Sequence, residues 1–599
     1  MSKLKKAMDD SGLDRVKQFL PNQSQREKLD RFETLTRGST GVTGGRPDIG
    51  TLFSVLEDKA KNDTTPSLLH GPMYGDPNGN APENKVQIID ALGTIAAAGK
   101  RHLYWMKCQD EAAKKDPFYE GNARAVNLVL PTLMASDNMM PYFTNVVILS
   151  HPDDCQRIAR LHVKKQPNFT TVFFQSLIAT TDNVHWAKQR SYLNEVFLPQ
   201  ASLSKIFPTS VKRAKDCADR LGTLQASKHG VQMHDFFLHE AQAQLQLALF
   251  GMDEEFMEKT NEPIRQVFNG TYPDPEKHFG SQMVLDMLQK VKENDAFATA
   301  TDPDVVSGKK PVFGPLSKAV VNASEDMDMN LYDQFGNMLL ILFAGHDTTA
   351  HTMTWLTYEL ARHPEYQRQL QAEIDQMFDD LKGREMTYDD CSKLPFLTKC
   401  VMETLRKWTA VPNGTFRELQ YDEEVHGPGG KMVMLKKGTS VQVVNWMRHR
   451  NPTLWGEDVD EFNPNREWHG NEIWGMSGDG EESSSGAYHG SNPASARFSP
   501  FTFAPRDCLG KNFAQMEMRT ILSHIFHKYD VVLSEPYHDS NVKKNGPIEN
   551  VKGTMGPRDM TPEGLKETEE RMSGTNPGLP RQAKMAMYLH VVPRSKPKL

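Results

Sequence analysis

Cys508 is the residue of this chain whose surroundings best suit chemistry. It lies in the segment Phe-Thr-Phe-Ala-Pro-Arg-Asp-Cys-Leu-Gly at 501–510, directly before a helix-forming run at 511–519. The N-terminal end of a helix carries partial positive charge, which favours a thiolate over a thiol, and Arg506 adds a nearby cation. Such a thiolate can act as a nucleophile or as a metal ligand. A lone cysteine is more often a small buried apolar residue, so the neighbouring pattern has to decide.

The spacing around Cys508 resembles the haem-ligating loop of the cytochrome P-450 family. The positions shared with that loop are Phe501, Arg506, Gly510 and Ala514. In that family a cysteine thiolate is the axial ligand of haem iron, so the resemblance implies haem b as cofactor and Cys508 as the metal ligand. The family usually has glycine where this chain has Ala504. Because glycine permits a tight loop, we expect a slightly strained loop here and a retained site.

A second motif lies within a long helix that the sequence predicts at about 329–362, ended by Pro364. Its apolar stretch gives way to Ala-Gly-His-Asp-Thr-Thr at 344–349. A threonine there could simply bond the carbonyl four residues earlier. The full string, however, resembles the oxygen-activating helix of the P-450 family. The resemblance implies that Ala344 and Gly345 let the flat cofactor approach and that Asp347 and Thr348 relay protons to dioxygen.

Two further segments supply candidate cofactor contacts. Trp186 and Arg190 are four residues apart and therefore share one face of a predicted helix, although a surface ion-pairing arginine is the commoner explanation of such a pair. The resemblance implies that both bond a haem propionate, since a guanidinium matches a carboxylate. The segment 410–417 resembles the lining of the distal pocket, with Arg417 on a propionate. Aromatic residues at 169–177 either overhang the substrate or pack in the core.

Glu403 and Arg406 form an i, i+3 pair on a predicted helix, and such pairs are usually exposed and weak. Arg466 follows in a later segment. In the P-450 family these three positions form a buried network on the proximal side of the fold. We therefore interpret Glu403, Arg406 and Arg466 as structural residues and not as catalysts.

The pattern of predicted elements is mainly α with a smaller β-rich part, which fits the cytochrome P-450 fold. Residues 1–115 form a partly loop-like N-terminal extension, and residues 116–599 form the P-450 domain. Two insertions interrupt that domain, at 469–497 and at 534–583. The first resembles low-complexity linker sequence. It is either a neutral loop or a modulator of electron-donor docking.

Composition limits the classes of protein that remain. The chain has 599 residues, a net charge of -7 and a mean hydropathy of -0.57, which gives no support for nucleic-acid binding. The longest apolar run, 338–345, is far too short to span a membrane, and no signal peptide is visible. We expect a cytoplasmic protein or one peripheral to a membrane, unless an anchor is absent from this chain. Six scattered cysteines without a CxxC pair argue against a zinc site and fit a reducing compartment.

The resemblance implies a haem-thiolate monooxygenase that inserts one oxygen atom from O2 into an apolar small organic substrate. No flavin or iron–sulfur domain is visible, so electrons would come from a separate donor, either a ferredoxin or a flavoprotein reductase. One alternative is a dioxygen-independent enzyme of the same fold, such as a hydroperoxide isomerase or peroxygenase. Another is a non-catalytic haem sensor. Retention of Asp347 and Thr348 disfavours both alternatives, since neither needs a proton relay.

Overall fold

A computed structural model gives the fold of this chain. It describes residues 109, 112, 114–116, 127–135, 141–166, 173, 175–225, 230–269, 283–284, 286–290, 319, 331–469, 472–474, 492–533 and 588–594. The predicted insertion at 534–583 and almost all of the predicted extension at 1–115 lie outside the described residues.

Helices make up most of the described chain, as the sequence predicts. Their bounds are α1 Pro152–Leu161, α2 Asn183–Val196, α3 Ser204–Leu224, α4 Met233–Gln244, α5 Glu254–Asn269, α6 Leu331–Arg362, α7 Pro364–Asp380, α8 Pro395–Lys407, α9 Asn445–His449, α10 Pro452–Trp455 and α11 Lys511–Lys528. Short π-helical segments, Pro199–Leu203 and Leu245–Leu249, precede α3 and follow α4. A 3-10 helix occupies Tyr388–Lys393. Proline stands first in α1, α7, α8 and α10, where its missing N–H costs no helical hydrogen bond.

The strands form three small sheets. Their bounds are β1 Leu128–Ala135, β2 Pro141–Leu149, β3 Val231–Gln232, β4 Thr415–Glu418, β5 Glu423–His426, β6 Met432–Leu435, β7 Ser440–Val443, β8 Tyr529–Leu533 and β9 Tyr588–Pro593. The largest sheet has the order β1-β2-β7-β4, in which only the β2/β7 pair is parallel. A second sheet has the order β3-β9-β8, and β5 and β6 form a two-stranded antiparallel hairpin. The predicted division into a large helical part and a smaller β-rich part is therefore confirmed.

Helix α6 runs through the main hydrophobic core and packs against α4, α8 and α11. Trp355 of α6 stacks on Trp408 at the end of α8, with ring centroids 3.7 Å apart. The Trp408 indole N–H donates to Glu359 Oε1 of α6 at 2.6 Å, so this buried pair is also hydrogen-bonded. In the described part of the chain, no helix is both long enough and apolar enough to cross a bilayer.

The flanks of the predicted insertion at 469–497 are packed into the fold. Glu472 is fully buried and accepts from Arg497 Nη2 at 2.7 Å and from Ser495 Oγ at 2.6 Å. Trp474 lies beneath the Arg519 guanidinium of α11, 4.3 Å from ring centroid to Cζ. The described ends of this segment are therefore packed against the fold and are not linker-like. The predicted loop is thus reduced to 475–491, which lies outside the described residues.

Candidate functional site

Cys508 lies in the loop that leads into α11, where the sequence places it. Its N–H donates to the Phe501 carbonyl at 2.9 Å, which closes the loop. The thiol is exposed, yet the protein around it raises its pKa, chiefly by desolvation, against the opposing effects of Lys511 and Arg190. The expectation that the helix end alone favours a thiolate therefore needs correction, because desolvation outweighs the cations. A bound metal cation would provide the missing stabilisation, since a coordinating thiol loses its proton.

The loop does not need glycine at position 504. Ala504 has no positive φ, and the only non-glycine residue of this loop in the left-handed region is Thr502, with φ 57. The expected strain thus falls at Thr502 and not at Ala504. Gly510 is the N-cap of α11, and a Cβ there would meet only the Phe197 ring, at an ordinary 3.9 Å. Among the described residues, no steric contact requires Gly510 to be glycine.

Helix α2 brings Trp186 and Arg190 against the cysteine loop. Arg506 lies over the Trp186 ring, 4.8 Å from the centroid. Arg190 donates to the backbone carbonyl of Asp507 at 2.7 Å and to its Oδ1 at 2.8 Å, so it already has a carboxylate partner. Lys511 Nζ lies 3.0 Å from Asp507 Oδ2. In this structure Arg190 orients the cysteine loop, and its predicted bond to a propionate stays a prediction. Asp507 had no signal in the sequence.

Arg417 and Arg506 are buried cations with unused hydrogen-bond donors. Arg417 donates from Nη1 to Thr415 Oγ1 at 2.6 Å and to the Phe416 carbonyl at 2.9 Å, while its Nε and Nη2 have no partner among the described residues. Arg506 donates from Nη2 to the Thr180 carbonyl at 3.2 Å, while its Nε and Nη1 have none in the same part of the chain. Burial first, and then Arg506, lowers the pKa of Arg417 to about 9. Burial first, and then Arg190, lowers the pKa of Arg506 to about 10.

A third cation, Lys165, faces the same two arginines. Its pKa is held well below the usual range by burial, and then by the charges of Arg417 and Arg506. Arg417 and Arg506 have unused donors, and Lys165 adds a third positive charge, so the cluster favours an anion because unpaired buried charge is costly. The two propionates of haem b, beside an accessible thiol, match this donor set, so the residues present fit the group. Sequence reasoning missed Lys165, which lies far from the motifs along the chain.

Helix α6 supplies the predicted proton-relay residues. Thr348 Oγ1 donates to the Ala344 carbonyl at 3.0 Å, the ordinary bond of a helical threonine to the residue four earlier. Asp347 is 5 % exposed, and burial raises the pKa of its carboxyl well above the usual range. This shift favours the protonated form of the carboxyl. Phe343, Ala344, Gly345 and Thr348 are only half-buried, so this stretch of an otherwise buried helix offers accessible surface.

The glycine of this motif has a packing role. A Cβ on Gly345 would lie 2.9 Å from Leu245 Cδ1, so glycine lets the π-helical segment approach α6. Leu245 therefore occupies the space beside Gly345 in which the sequence analysis expected a flat cofactor. The prediction that Ala344 and Gly345 contact the cofactor stays a prediction. His346, to which no catalytic role was assigned, is buried and has its pKa lowered to about 4 by burial.

The sequence leaves open whether the aromatic residues at 169–177 contact substrate or pack in the core. Those that the structure describes pack against α6. Phe173 is 4 % exposed, and its ring centroid is 5.4 Å from that of Phe343. A Cβ on Gly336 would lie 2.6 Å from the Phe173 carbonyl, so glycine permits this close approach. Asn337 Oδ1 accepts the Leu177 N–H at 2.8 Å and fixes the segment. Phe173 and Leu177 are thus core residues that lie beside the accessible surface of α6.

Glu403, Arg406 and Arg466 form the predicted buried network. Glu403 and Arg406 are fully buried and make two parallel bonds, Arg406 Nε to Oε2 at 2.8 Å and Nη2 to Oε1 at 2.7 Å. Arg466 Nη2 reaches Glu403 Oε1 at 3.4 Å. The remaining Arg406 donors bond the carbonyls of His449 and Val459, at 2.9 and 2.8 Å. The interpretation of these three residues as a structural network is confirmed.

Comparisons with known proteins agree with this geometry. Residues 315–548 match the family model of cytochrome P-450. Cytochrome P-450 CYP13A5 of Caenorhabditis elegans is 34% identical over 207 residues, and cytochrome P-450 4F3 of Rattus norvegicus is 31% identical over 191 residues. These alignments cover 35% and 32% of this chain, and the same shares of the two relatives. The aligned part thus spans about a third of the length of each relative.

The fold comparison covers more of the molecule. A crystal structure of a cytochrome P-450, CYP102L1, superposes with a TM-score of 0.51 over 70% of this chain and 88% of that chain, at 19% identity. Together with the haem-compatible site, these findings place residues 315–548 in the cytochrome P-450 family, and the described chain has the cytochrome P-450 fold. Members of this family bind haem b, which is the group that the buried cations and Cys508 fit.

Replacing Arg417 with methionine is expected to weaken haem retention roughly 10-fold or more, since a charged hydrogen bond contributes about 1.5–3 kcal/mol. The haem-free protein should not lose stability, because the variant removes a buried cation whose donors are only half used. Arg160→Met is the control, since Arg160 is exposed on α1. Haem transfer to apomyoglobin measures retention, and thermal unfolding of the apoprotein measures stability. Equal retention in both variants would remove Arg417 from the site.

Proposed function

We propose that this protein is a haem-thiolate monooxygenase that transfers one oxygen atom from O2 to an apolar small organic substrate. The observation that carries the proposal is the accessible Cys508 thiol beside buried cations that lack carboxylate partners. A thiol and an anion-binding cluster placed together suit one ligand that has both a metal and carboxylates. When bound, haem supplies the redox chemistry that activates dioxygen.

The residues around Cys508 would hold the cofactor. Cys508 would bind the iron, and Arg190 with Lys511 keeps the loop in place through Asp507. Arg417, Arg506 and Lys165 would hold the propionates, whose negative charges would offset the burial of these cations. Because Arg506 also packs on Trp186, helix α2 and the cysteine loop are held together.

Asp347 and Thr348 of α6 would deliver protons. Burial raises the pKa of Asp347, which favours its protonated form and suits it to donate a proton. Thr348 is half-exposed at the accessible surface of α6, and its hydroxyl donates to the Ala344 carbonyl. The Thr348 oxygen can accept a hydrogen bond, and rotation of the hydroxyl away from that carbonyl would let it donate its own proton.

The chemistry around this surface indicates the substrate class. Phe173, Phe343 and Ala344 border it and are apolar, so an apolar organic molecule would be favoured over a charged one. Electrons would come from a separate ferredoxin or flavoprotein reductase. The cytoplasmic or membrane-peripheral location stays a prediction of the sequence.

The proposal is tested with isotope-labelled dioxygen. The haem-loaded chain is combined with a reductase system and with substrates chosen by a spectral screen for water displacement from ferric iron. A monooxygenase should place one labelled oxygen atom in each product molecule and consume one reduced cofactor. Product formed without O2, from an added hydroperoxide and without reduced cofactor, would overturn the proposal in favour of the dioxygen-independent alternative.

Replacing Thr348 with alanine is expected to uncouple the reaction. Haem and substrate binding should persist, while the ratio of product to consumed NADPH or NADH falls and peroxide appears, because the ordered proton donor is missing. Loss of one general acid typically costs roughly 10²–10⁴-fold in rate. Thr354→Ala is the matched control, since Thr354 makes the same type of bond on the same helix, to the Ala350 carbonyl at 2.7 Å. An unchanged ratio in T348A would exclude Thr348 from proton delivery.

A further inference from the structure

A cluster of potential metal ligands lies among residues that the proposed function does not use. His151 stands between β2 and α1, Asp154 lies in the first turn of α1, and His426 ends β5. One ligand atom from each residue lies within 4.8 Å of those of the other two. The two imidazole rings are stacked, with centroids 3.6 Å apart and planes 11° from parallel. Two imidazoles and a carboxylate are the ligands of many zinc sites.

Hydrogen bonds hold the carboxylate and one imidazole in a ligand-ready arrangement. Asp154 Oδ2 lies 3.1 Å from His426 Nδ1 and accepts the His426 backbone N–H at 2.8 Å. A separation of 3.1 Å is close to that of two ligand atoms on one metal ion, so His426 would bind through Nδ1, in the tautomer that carries its proton on Nε2. Asn127 braces the cluster, since its Nδ2 donates to Asp154 Oδ2 at 2.7 Å and its Oδ1 accepts the His151 N–H at 3.0 Å.

His151 has a ring nitrogen that is available to bind a metal ion. Its Nδ1 is buried and has no hydrogen-bond partner in the described structure. An unpartnered buried ring nitrogen beside a stacked imidazole and a carboxylate is costly unless something binds it. A divalent ion would remove that cost.

We propose that His151, Asp154 and His426 bind a nitrogen-preferring divalent transition-metal ion, with Zn²⁺ as the reference ion. Zn–N and Zn–O bonds of about 2.0–2.2 Å require ligand atoms about 3.3 Å apart, so the atoms must approach by roughly 1.5 Å at most. Rotation of the two imidazoles about their side-chain bonds accomplishes this. Three protein ligands leave a fourth position for water.

The surrounding charges are compatible with a cation. Arg157 lies 3.1 Å from Asp154 Oδ1, but it also bonds Glu423 Oε2 at 3.3 Å and the Glu424 carbonyl, so it has other partners when Asp154 binds metal. Asp153 adds a further carboxylate in the first turn of α1. Cys155 is fully buried and is not one of the clustered ligands. The sequence argument against a zinc site rests on the lack of CxxC pairs, and this site needs no cysteine.

The metal would join two parts of the β-rich region. His151 and Asp154 belong to the corner between β2 and α1, while His426 belongs to the β5–β6 hairpin, whose strand β6 exposes Met432 and Met434. An ion that binds only the folded arrangement stabilises it by mass action. Zinc should therefore raise the melting temperature of the protein.

The test uses the untagged, haem-loaded full chain after chelator treatment. Calorimetric titration with Zn²⁺ should show one site, and His151→Ala and His426→Ala should each weaken it by at least about 10-fold. His363→Ala is the matched control, because His363 also lies beside carboxylates, Glu359 and Glu365, outside this cluster. Zinc should raise the melting temperature of wild type and of H363A but not of the two cluster variants.

A measurement on wild type covers the case in which a variant fails to fold. X-ray absorption at the zinc edge should show two imidazole nitrogens, carboxylate oxygen and no sulfur in the first coordination shell. Sulfur ligands, fewer than two imidazoles, or no stoichiometric binding by wild type would overturn the proposal. Equal zinc affinity in folded H151A or H426A would overturn it as well.

Discussion

Replacing Cys508 with histidine is expected to abolish the thiolate-type spectrum and the oxygenase activity of the protein. Cys508 is the only exposed cysteine among those in the described residues, and it lies at the start of α11 beside Arg190 and Lys511. Imidazole is a neutral ligand and donates less electron density to iron than a thiolate does. Haem should still bind in part, because Arg417, Arg506 and Lys165 remain.

The measurement is the absorption spectrum of the ferrous carbonyl complex. Wild type should show the strongly red-shifted Soret band of a thiolate-ligated haem, and C508H should show the band of a histidine-ligated one. Cys391→Ala is the control, because Cys391 is buried, has its pKa raised to about 12 by burial, and should leave the spectrum unchanged. A wild-type-like red-shifted band in C508H would rule Cys508 out as the iron ligand.

Replacing Arg406 with alanine is expected to leave little folded, haem-loaded protein. The change removes the two Arg406 hydrogen bonds to the fully buried Glu403 carboxylate. It also removes the Arg406 donor to the carbonyls of His449 and Val459. Removing one partner of a buried ion pair costs roughly 3–5 kcal/mol, a large share of the stability of a typical domain. Glu403→Ala should have a similar effect, since it removes the carboxylate partner of the buried Arg406 guanidinium.

The matched control is an exposed ion pair of the same protein. Lys215 and Glu385 lie 2.6 Å apart, with 45% and 71% of their side chains exposed. Exposed pairs contribute little, so Lys215→Ala should express and load haem as wild type does. Soluble yield and haem content per polypeptide are the measured quantities. Normal haem content in both R406A and E403A would show that the network is dispensable for the fold.

The buried cations link cofactor binding to folding. Burial is the largest cause of the lowered pKa values of Arg417, Arg506 and Lys165, and repulsion from neighbouring cations adds to it. Carboxylates supplied by a ligand would turn this repulsion into attraction. A ligand that binds only the folded state adds to its stability. Haem-loaded protein should therefore resist thermal unfolding better than the apoprotein does.

The sequence by itself determined the elements that depend on local pattern. Prolines at the first helical positions mark the starts of α1, α7 and α8, and the predicted helix at about 329–362 is α6. Residues 142–149 and 529–533 are rich in β-branched and aromatic residues, which favour strands, and they lie in β2 and β8. The Cys508 loop and the Glu403–Arg406 pair were also identifiable, because their residues are close along the chain and have fixed spacing.

Only the tertiary structure decided which distant residues meet and what each one experiences. Lys165 joins Arg417 and Arg506 through folding alone, and no local pattern marks it. Gly345 faces Leu245 because the π-helical segment after α4 approaches α6, a contact set by packing between helices. The pKa of Cys508 is raised and not lowered because desolvation depends on all surrounding atoms, whereas the helix end is a local effect. Burial and long-range contact are properties of the assembled fold, so local spacing could not supply them.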